Sequence, residues 1–478
     1  MTDDPLARLA RKAQDELALL AYPARPWVTP RPRPDGERAL DVLVVGGAQS
    51  GIAVAFNLRR AGITDVTVID AAPAGSEGPW RTIARMNELR TPKHQVGVET
   101  GVASLTAVAW YRARYGQDAW TRIERIGRHD WADYLDWLRA QAGIELVSGV
   151  ELGALHPVPG RDDLVRAELR EPASGRAWTV HARHVVLATG FTGGGLWHTP
   201  EHIAAAVPAA LRHHACEGYD PRAYRGLRVG VLGHGASAFD AAAAVLDAGA
   251  AGVDLCFRRP VMPTVNPHRA VEYHGFLGHF ADLDDAVRWE VARFFDGADQ
   301  PPAPDGYRRA VRHPNLRIHA GAPWDELRCT DGTIEVATPK GTFTWDRIIC
   351  ATGARIDLGA RPELAPIEAW ITRWADRYRP PAGHEHDGLG AAPYLGAGFE
   401  LVPSEGGPAA IARIYAANSS CYVSQGPHST SISGLKYAAP RVVAAIARSL
   451  LRDQQHDLVA SLAAFQEPEQ LQVEAQVA

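Results

Sequence analysis

The chain has 478 residues, 46% of them hydrophobic and 22% charged, with a formal net charge of −5 and no long basic run. That composition excludes a disordered chain, suits two connected domains and leaves nucleic acid without an electrostatic footprint. Cys216, Cys256, Cys329, Cys350 and Cys421 are scattered, odd in number and without a C-x-x-C, which argues against a disulfide framework or dithiol centre and for a reducing cytoplasm. Asp3, Asp4, Arg8, Arg11 and Lys12 interrupt the N-terminus, and Asp247 interrupts the Ala-rich run 241–253; neither a signal peptide nor a membrane span is expected.

Leu6, Leu9, Ala13, Leu17 and Leu20 recur at three- and four-residue spacing and predict an amphipathic helix. Five prolines between residues 22 and 36 follow, an extended linker laid over the surface. From Asp41, Asp-Val-Leu-Val-Val reads as a buried strand entering the turn Gly46-Gly47-Ala48-Gln49-Ser50-Gly51 and then an Ala/Leu helix, the start of a βαβ unit. The texture returns at 227–232, before Gly233-His234-Gly235-Ala236-Ser237-Ala238 and an Ala-rich helix. Strand-like runs at 184–188 and 347–351 each finish in Ala-Thr-Gly and bracket the second unit. Residues 266–312 predict a helical cap whose aromatics either form a lid or pack as core. Residues 380–407 predict a long surface loop, and 437–451 a last helix before a polar tail.

The expected fold class is therefore α/β, with two Rossmann-like dinucleotide-binding domains, the second inserted into the first, and an N-terminal helical extension. The expected divisions are 1–38, the extension and linker; 39–225 and 336–460, the two parts of the first domain; 226–335, the second; and 461–478, a tail.

In the first turn Gly46 permits the tight bend, Gly51 lets the helix pack closely, and the helix N-terminus presents amides to a diphosphate. Asp70 ends the next strand twenty-four residues after Gly46, where a carboxylate can accept from ribose hydroxyls. The second turn keeps both leading glycines, and its partner strand ends in Arg258-Arg259. Guanidinium forks there suit the 2′-phosphate that distinguishes NADP from NAD. The alternative leaves both arginines solvated and gives an unphosphorylated ribose to Asp254, which stands three residues too early to match Asp70. His384-Glu385-His386 lies in a Gly/Pro loop without a companion cluster and reads as a solvated turn, not a metal site.

Gly46-x-Ala48-x-x-Gly51 with Asp70, Ala188-Thr189-Gly190, Gly233-x-Gly235-x-x-Ala238 with Arg258, and Ala351-Thr352-Gly353 follow one another as in flavin-containing monooxygenases and related two-dinucleotide-fold oxidoreductases. The resemblance covers residues 41–452. Gly78-Pro79-Trp80, Ala84-Arg85-Met86, Leu89-Arg90-Thr91-Pro92-Lys93-His94 and the run 431–437 are similar to a bacterial FAD-dependent urate hydroxylase-like branch. This chain departs from the family in two ways: Ala48 replaces a glycine, and no Phe-x-Gly precedes His213-His214, which argues against Baeyer–Villiger chemistry.

The resemblance implies FAD at the first turn (Gly46, Ala48, Gln49, Ser50, Gly51, Asp70, with Thr189 and Gly190) and NADPH at the second (Gly233, Gly235, Ala236, Ser237, Arg258, Arg259, with Thr352 and Gly353). It implies a reduced flavin that meets O2 as a C4a-hydroperoxide and passes one oxygen atom to a small organic substrate, by N-hydroxylation or heteroaromatic ring hydroxylation. Trp80 would wrap the flavin. Arg90, Lys93 and His94 would hydrogen-bond its ring or stabilise the peroxide anion, or else act as surface cations or caps. Ser429 and Ser431, beside His428, would bring a helix N-terminus to the flavin's pyrimidine edge, or form an ordinary capping cluster. The rival reading is a flavin-dependent NAD(P)H reductase that delivers electrons to a carrier or quinone. Expected partners are a small-molecule substrate and O2, with no nucleic acid or membrane and with room for a homodimer.

Overall fold

The computed structural model describes residues 4–94, 97–298 and 300–467. Strands β1 (Leu40–Val45), β2 (Val66–Asp70) and β3 (Leu146–Ser148) run parallel in the order β3-β2-β1. Val42 to Val45 are buried, as their unbroken apolar run requires of a parallel strand covered on both faces. A meander of β4 (Glu151–Val158), β5 (Arg161–Glu171) and the start of β6 (Arg176–Leu187) follows. β6 then continues past Ala182 to lie parallel beside β1.

The chain leaves this sheet through β7 (Gly195–Trp197) and builds the same arrangement again. β8 (Arg212–His214), β9 (Arg228–Leu232), β10 (Gly252–Phe257) and β11 (Leu316–Ala320) precede the meander β12 (Glu326–Thr330), β13 (Thr333–Thr338) and β14 (Gly341–Trp345). β15 (Arg347–Cys350) returns beside β9, giving an all-parallel sheet β11-β10-β9-β15-β8. β16 (Ala354–Ile356) pairs antiparallel with β7, so the outgoing and returning connections lie side by side, and β17 (Ile414–Tyr415) completes the first sheet beside β6.

The second unit is thus nested in the first, but not with the expected boundaries. Its sheet begins with β8 at Arg212, ahead of residue 226, and ends with β15 at Cys350, beyond residue 335. β8 is three polar residues at a sheet edge, with no apolar run to announce it. The Ala-Thr-Gly after β15 therefore belongs to the second elbow, as the Ala-Thr-Gly after β6 belongs to the first.

The helix Pro5–Leu19 buries Ala13 and Leu17 against the first domain. Glu16 accepts from the Ser104 amide and hydroxyl at 2.9 and 2.7 Å, and Gln14 donates to the Gln141 carbonyl at 2.8 Å. The proline-rich linker is tied down as well: Trp27 Nε1 donates to the Ala61 carbonyl at 2.7 Å and Thr29 meets Gln454. Beneath it the fully buried Arg183 sits between Asp41 and Asp453.

The cap contains the helices His274–His279, Asp285–Gly297 and Pro304–Val311. Trp289 and Ala292 pack into a separate core with Trp374, Leu389, Ala392 and Val423. Core packing therefore accounts for Trp289, while Tyr273, Val287 and Phe294 stay exposed. Residues 380–407 are not the surface loop expected: Leu389, Ala392, Leu395, Phe399 and Leu401 are buried. The prolines and glycines turn the chain, and the apolar residues between them anchor it. His384 meets Glu290 at 2.7 Å and His386 meets Asp296 at 3.0 Å, docking this segment on the cap. Among the described residues no group of three or more His, Cys, Asp or Glu side chains is gathered as for a metal, and no helix is long and apolar enough to cross a membrane. The last long helix, Leu435–Asp453, packs on the helix after the first glycine turn.

Candidate functional site: two glycine elbows facing one seam

At the first elbow Gly46 has φ +113°, and a Cβ there would lie 2.3 Å from the Ala188 carbonyl oxygen at the end of β6. A Cβ on Gly51 would lie 1.8 Å from the Gly46 oxygen. Both glycines are therefore packing requirements, drawing the helix Gln49–Arg60 tightly against the turn. Ala48 is its N-cap and no side chain caps it, which leaves the first-turn amides open to an anion. Asp70 closes the turn, accepting from the Gly47 amide at 2.7 Å and the Ala72 amide at 2.8 Å on different oxygens. Each oxygen keeps a lone pair for a ribose hydroxyl.

The alanine at position 48 has a counterpart that the motif did not show. Gly78, at φ +71°, overhangs it so closely that a Cβ would meet the Ala48 methyl at 2.8 Å. The segment Gly78-Pro79-Trp80 thus folds over the elbow, and Trp80 Nε1 is buried there without a hydrogen-bond partner among the described residues. An uncapped helix end beneath and an orphaned donor above are what an FAD diphosphate and ring system would satisfy; these residues fit that group. Gly78→Ala is expected to cost about 1–3 kcal/mol, from the left-handed φ and the contact together. A lower melting temperature with weaker FAD retention would show it; an unchanged protein would refute the overhang.

The second elbow repeats the first. Gly233 has φ +135°, with a would-be Cβ 2.7 Å from the Ala351 oxygen that ends β15. Gly235 caps the helix Ala236–Asp247 without a side-chain hydrogen bond, and a Cβ on it would meet nothing within 4 Å. Open space over the second glycine, beside uncapped amides, fits a second diphosphate. Arg258 is exposed just past β10, and Arg259 donates to the Gly297 carbonyl at 2.8 Å. Burial first, and then both guanidinium charges, lower the pKa of His234 inside the elbow. Asp254 is occupied below the sheet, accepting from His319 at 2.7 Å and Trp345 Nε1 at 2.9 Å. These two contacts hold the Asp254 carboxylate toward β11 and β14.

The seam between the elbows collects the other expected residues unevenly. Arg90 crosses it, its guanidinium 3.2 Å from Asp240 Oδ2 in the second elbow's helix. Asp240 is buried, its other oxygen unpartnered, and burial raises its carboxyl above the usual range against the pull of Arg90. Lys93 instead donates to the Trp120 carbonyl at 2.6 Å and lies 4.9 Å from that indole's centre, while His94 is exposed. Thr189 Oγ1 accepts from Asn418 at 3.1 Å and Thr352 donates to the His198 carbonyl, so both threonines fix their turns. Ser429 donates to the Gln425 and Gly426 carbonyls, and Ser431 to the His428 carbonyl at 2.7 Å. Gln49 ties that loop to the first elbow through the Thr430 carbonyl at 3.3 Å.

Motif reading missed the contacts of Asp240 and His268, and named Arg85 and His428 only within the resemblance, without their partners. Asp240 was visible as a lone acid in an Ala-rich buried helix. Arg85 lies 4.2 Å above the Tyr219 ring and donates to the Tyr219 carbonyl at 2.6 Å, a second strut between the domains. His213 and His214 sit in β8, where burial lowers His214 to about 4 and Trp197 stacks on it at 5.1 Å.

Residues 43–192 match the family model described as FAD-NAD(P)-binding. The FAD-dependent urate hydroxylase of Xanthomonas campestris pv. campestris is 39% identical over 467 residues, covering 97% of each chain. Ornithine hydroxylase from Pseudomonas aeruginosa shares the fold at a TM-score of 0.68 and 18% identity, over 86% of this chain and 100% of that one. L-lysine 6-monooxygenase from Pseudomonas syringae does so at 0.65 and 18%, over 86% and 99%. Nested elbows of one fold, matched end to end by a relative at this identity, identify the chain as a member of the FAD-dependent hydroxylase family of flavin monooxygenases.

Proposed function

We propose that this protein is an NADPH- and O2-dependent FAD monooxygenase that hydroxylates an oxo-purine of the urate class. The observation that carries the substrate class is the 39% identity across 97% of both chains to a urate hydroxylase, with both elbows intact. Bound FAD supplies the redox chemistry, taking reducing equivalents from NADPH and passing one oxygen atom of O2 to the substrate.

The chain's own residues bind, orient and exclude water. Amides of residues 48–51 and Asp70 hold the FAD diphosphate and ribose; those of 235–237 hold the NADPH diphosphate, with Arg258 and Arg259 on its 2′-phosphate. Trp80 and its neighbours cover the flavin side, and Arg90 reaches across the seam to Asp240. Lys93 serves by fixing the helix that carries Trp120, a buttress and not a contact to reacting atoms. The dithiol version of the electron-transfer alternative lacks its C-x-x-C.

The test is turnover of purified, FAD-loaded enzyme with NADPH and urate under 18O2. Urate-stimulated NADPH loss, one 18O in the product and substoichiometric peroxide support the reading. Urate-independent NADPH loss with stoichiometric peroxide, or reduction of a quinone without oxygen uptake, would overturn it.

A further inference from the structure

Polar groups converge where the cap meets the first fold, and the cofactor chemistry leaves them unassigned. His268 follows the carboxyl end of β10, and His428 lies in the loop that Gln49 fastens to the first elbow. His428 therefore lies near the first elbow, at the carboxyl edge of its sheet, the side on which open α/β folds bind ligands, and His268 meets it there from the cap. His268 Nδ1 stands 3.1 Å from His428 Nε2, the rings edge to face with centroids 4.9 Å apart. Phe295 packs on His268 at 4.5 Å. Next to them Arg269 pairs with Glu272 at 2.7 Å and donates to the Arg90 carbonyl at 3.0 Å, so the cluster reaches the Arg90–Asp240 bridge.

Proton counting gives the pair a definite chemistry. A neutral imidazole has one N–H and one bare nitrogen. If His268 donates across the 3.1 Å contact, His428 carries its proton on Nδ1 and His268 leaves Nε2 bare. If His428 donates, the outer nitrogens exchange roles. Either way the neutral pair turns one donor and one acceptor outward, and no described side chain hydrogen-bonds those outer nitrogens. Burial lowers both pKa values, His268 to about 4. Of the groups facing them, Arg269 reinforces that shift, whereas Glu272 and, for His428, the His268 main chain oppose it. The pair is thus neutral near pH 7.

We propose that His268 and His428 together read the substrate, selecting a planar heterocycle that presents both an N–H and a C=O. This deepens the oxo-purine reading and rests on it. An added proton turns both outer nitrogens into donors, so affinity falls as the pair titrates in acid. The bare nitrogen, the partner of the substrate N–H, is then lost.

The experiment is equilibrium binding of urate to the oxidised, FAD-loaded enzyme, read by calorimetry and by perturbation of the flavin spectrum. His268→Phe and His428→Phe are each expected to raise the urate Kd about tenfold to a hundredfold. The double variant should be little worse than either single one, because losing one ring dissolves the pair. FAD content and NADPH Kd should not change, and His428→Gln, which keeps a donor and an acceptor, should restore part of the affinity. Unchanged urate binding in both phenylalanine variants overturns the proposal. If the parent enzyme binds xanthine or uracil but not urate, the substrate assignment fails and the same variants test the pair with that ligand. If it binds no such heterocycle, the recognition role falls too.

Discussion

Replacing Gly51 with alanine is expected to give a strongly destabilised protein that purifies colourless. The new methyl would lie 1.8 Å from the Gly46 carbonyl oxygen and 3.4 Å from Val44 Cγ1. The close neighbour is main chain, itself held by the turn, so no flexible side chain can swing away. The helix Gln49–Arg60 would have to retreat by more than an ångström. Val54, Ala55, Phe56 and Leu58 on that helix are buried, and their packing would be lost with it. We expect a loss of more than about 3 kcal/mol, above the usual range for an inserted methyl in a packed site. The same retreat withdraws the amides from the diphosphate position, so adding FAD should not restore the melting temperature by mass action. The measurements are the melting temperature with and without excess FAD and the ratio of flavin to protein absorbance. A yellow Gly51→Ala protein of parental stability would contradict the elbow geometry.

How far the sequence disclosed this molecule follows from the range of its interactions. The elbows were legible because a glycine turn between a buried strand and a helix is a local pattern, fixed within about two dozen residues. The paired Ala-Thr-Gly runs were legible too, although their meaning needed the sheets: each places a carbonyl against the leading glycine of its elbow. Domain limits were misjudged where strands are short and polar, as in β8, or where an antiparallel meander interrupts a parallel sheet. The Pro- and Gly-rich segment 380–407 misled because composition records turns but not the buried Leu395, Phe399 and Leu401 between them. The seam was least legible of all. Arg90 meets Asp240 across 150 residues and His268 meets His428 across 160, and no periodicity links positions so far apart. Lys93 illustrates the same limit: a lysine in a cofactor-wrapping segment invites a catalytic role, but Trp120, on a later helix, takes both its ammonium and its stem.

The second elbow offers a sharper test, because two of its residues are expected to fail in different ways. Arg258→Ala is expected to raise the NADPH KM about tenfold to a hundredfold while changing that for NADH less than about twofold, the effect of losing one charge-assisted contact to the 2′-phosphate. Arg258 is exposed and carries no part of the core, so melting temperature and FAD content should be those of the parent. Gly235→Ala should behave otherwise. Its Cβ would meet no protein atom within 4 Å and its φ of −76° suits alanine, so folding should be undisturbed. The methyl would stand where a diphosphate approaches the amides, weakening NADPH and NADH alike. Steady-state kinetics with both nucleotides, together with nucleotide Kd values on the oxidised enzyme, separates the two cases. Equal losses of NADPH and NADH in Arg258→Ala would remove the guanidinium from the 2′-phosphate and leave Arg259, already bonded to the Gly297 carbonyl, as the remaining cation of the pair. Equal losses would also return the ribose to Asp254, which His319 and Trp345 hold through one hydrogen bond to each carboxylate oxygen.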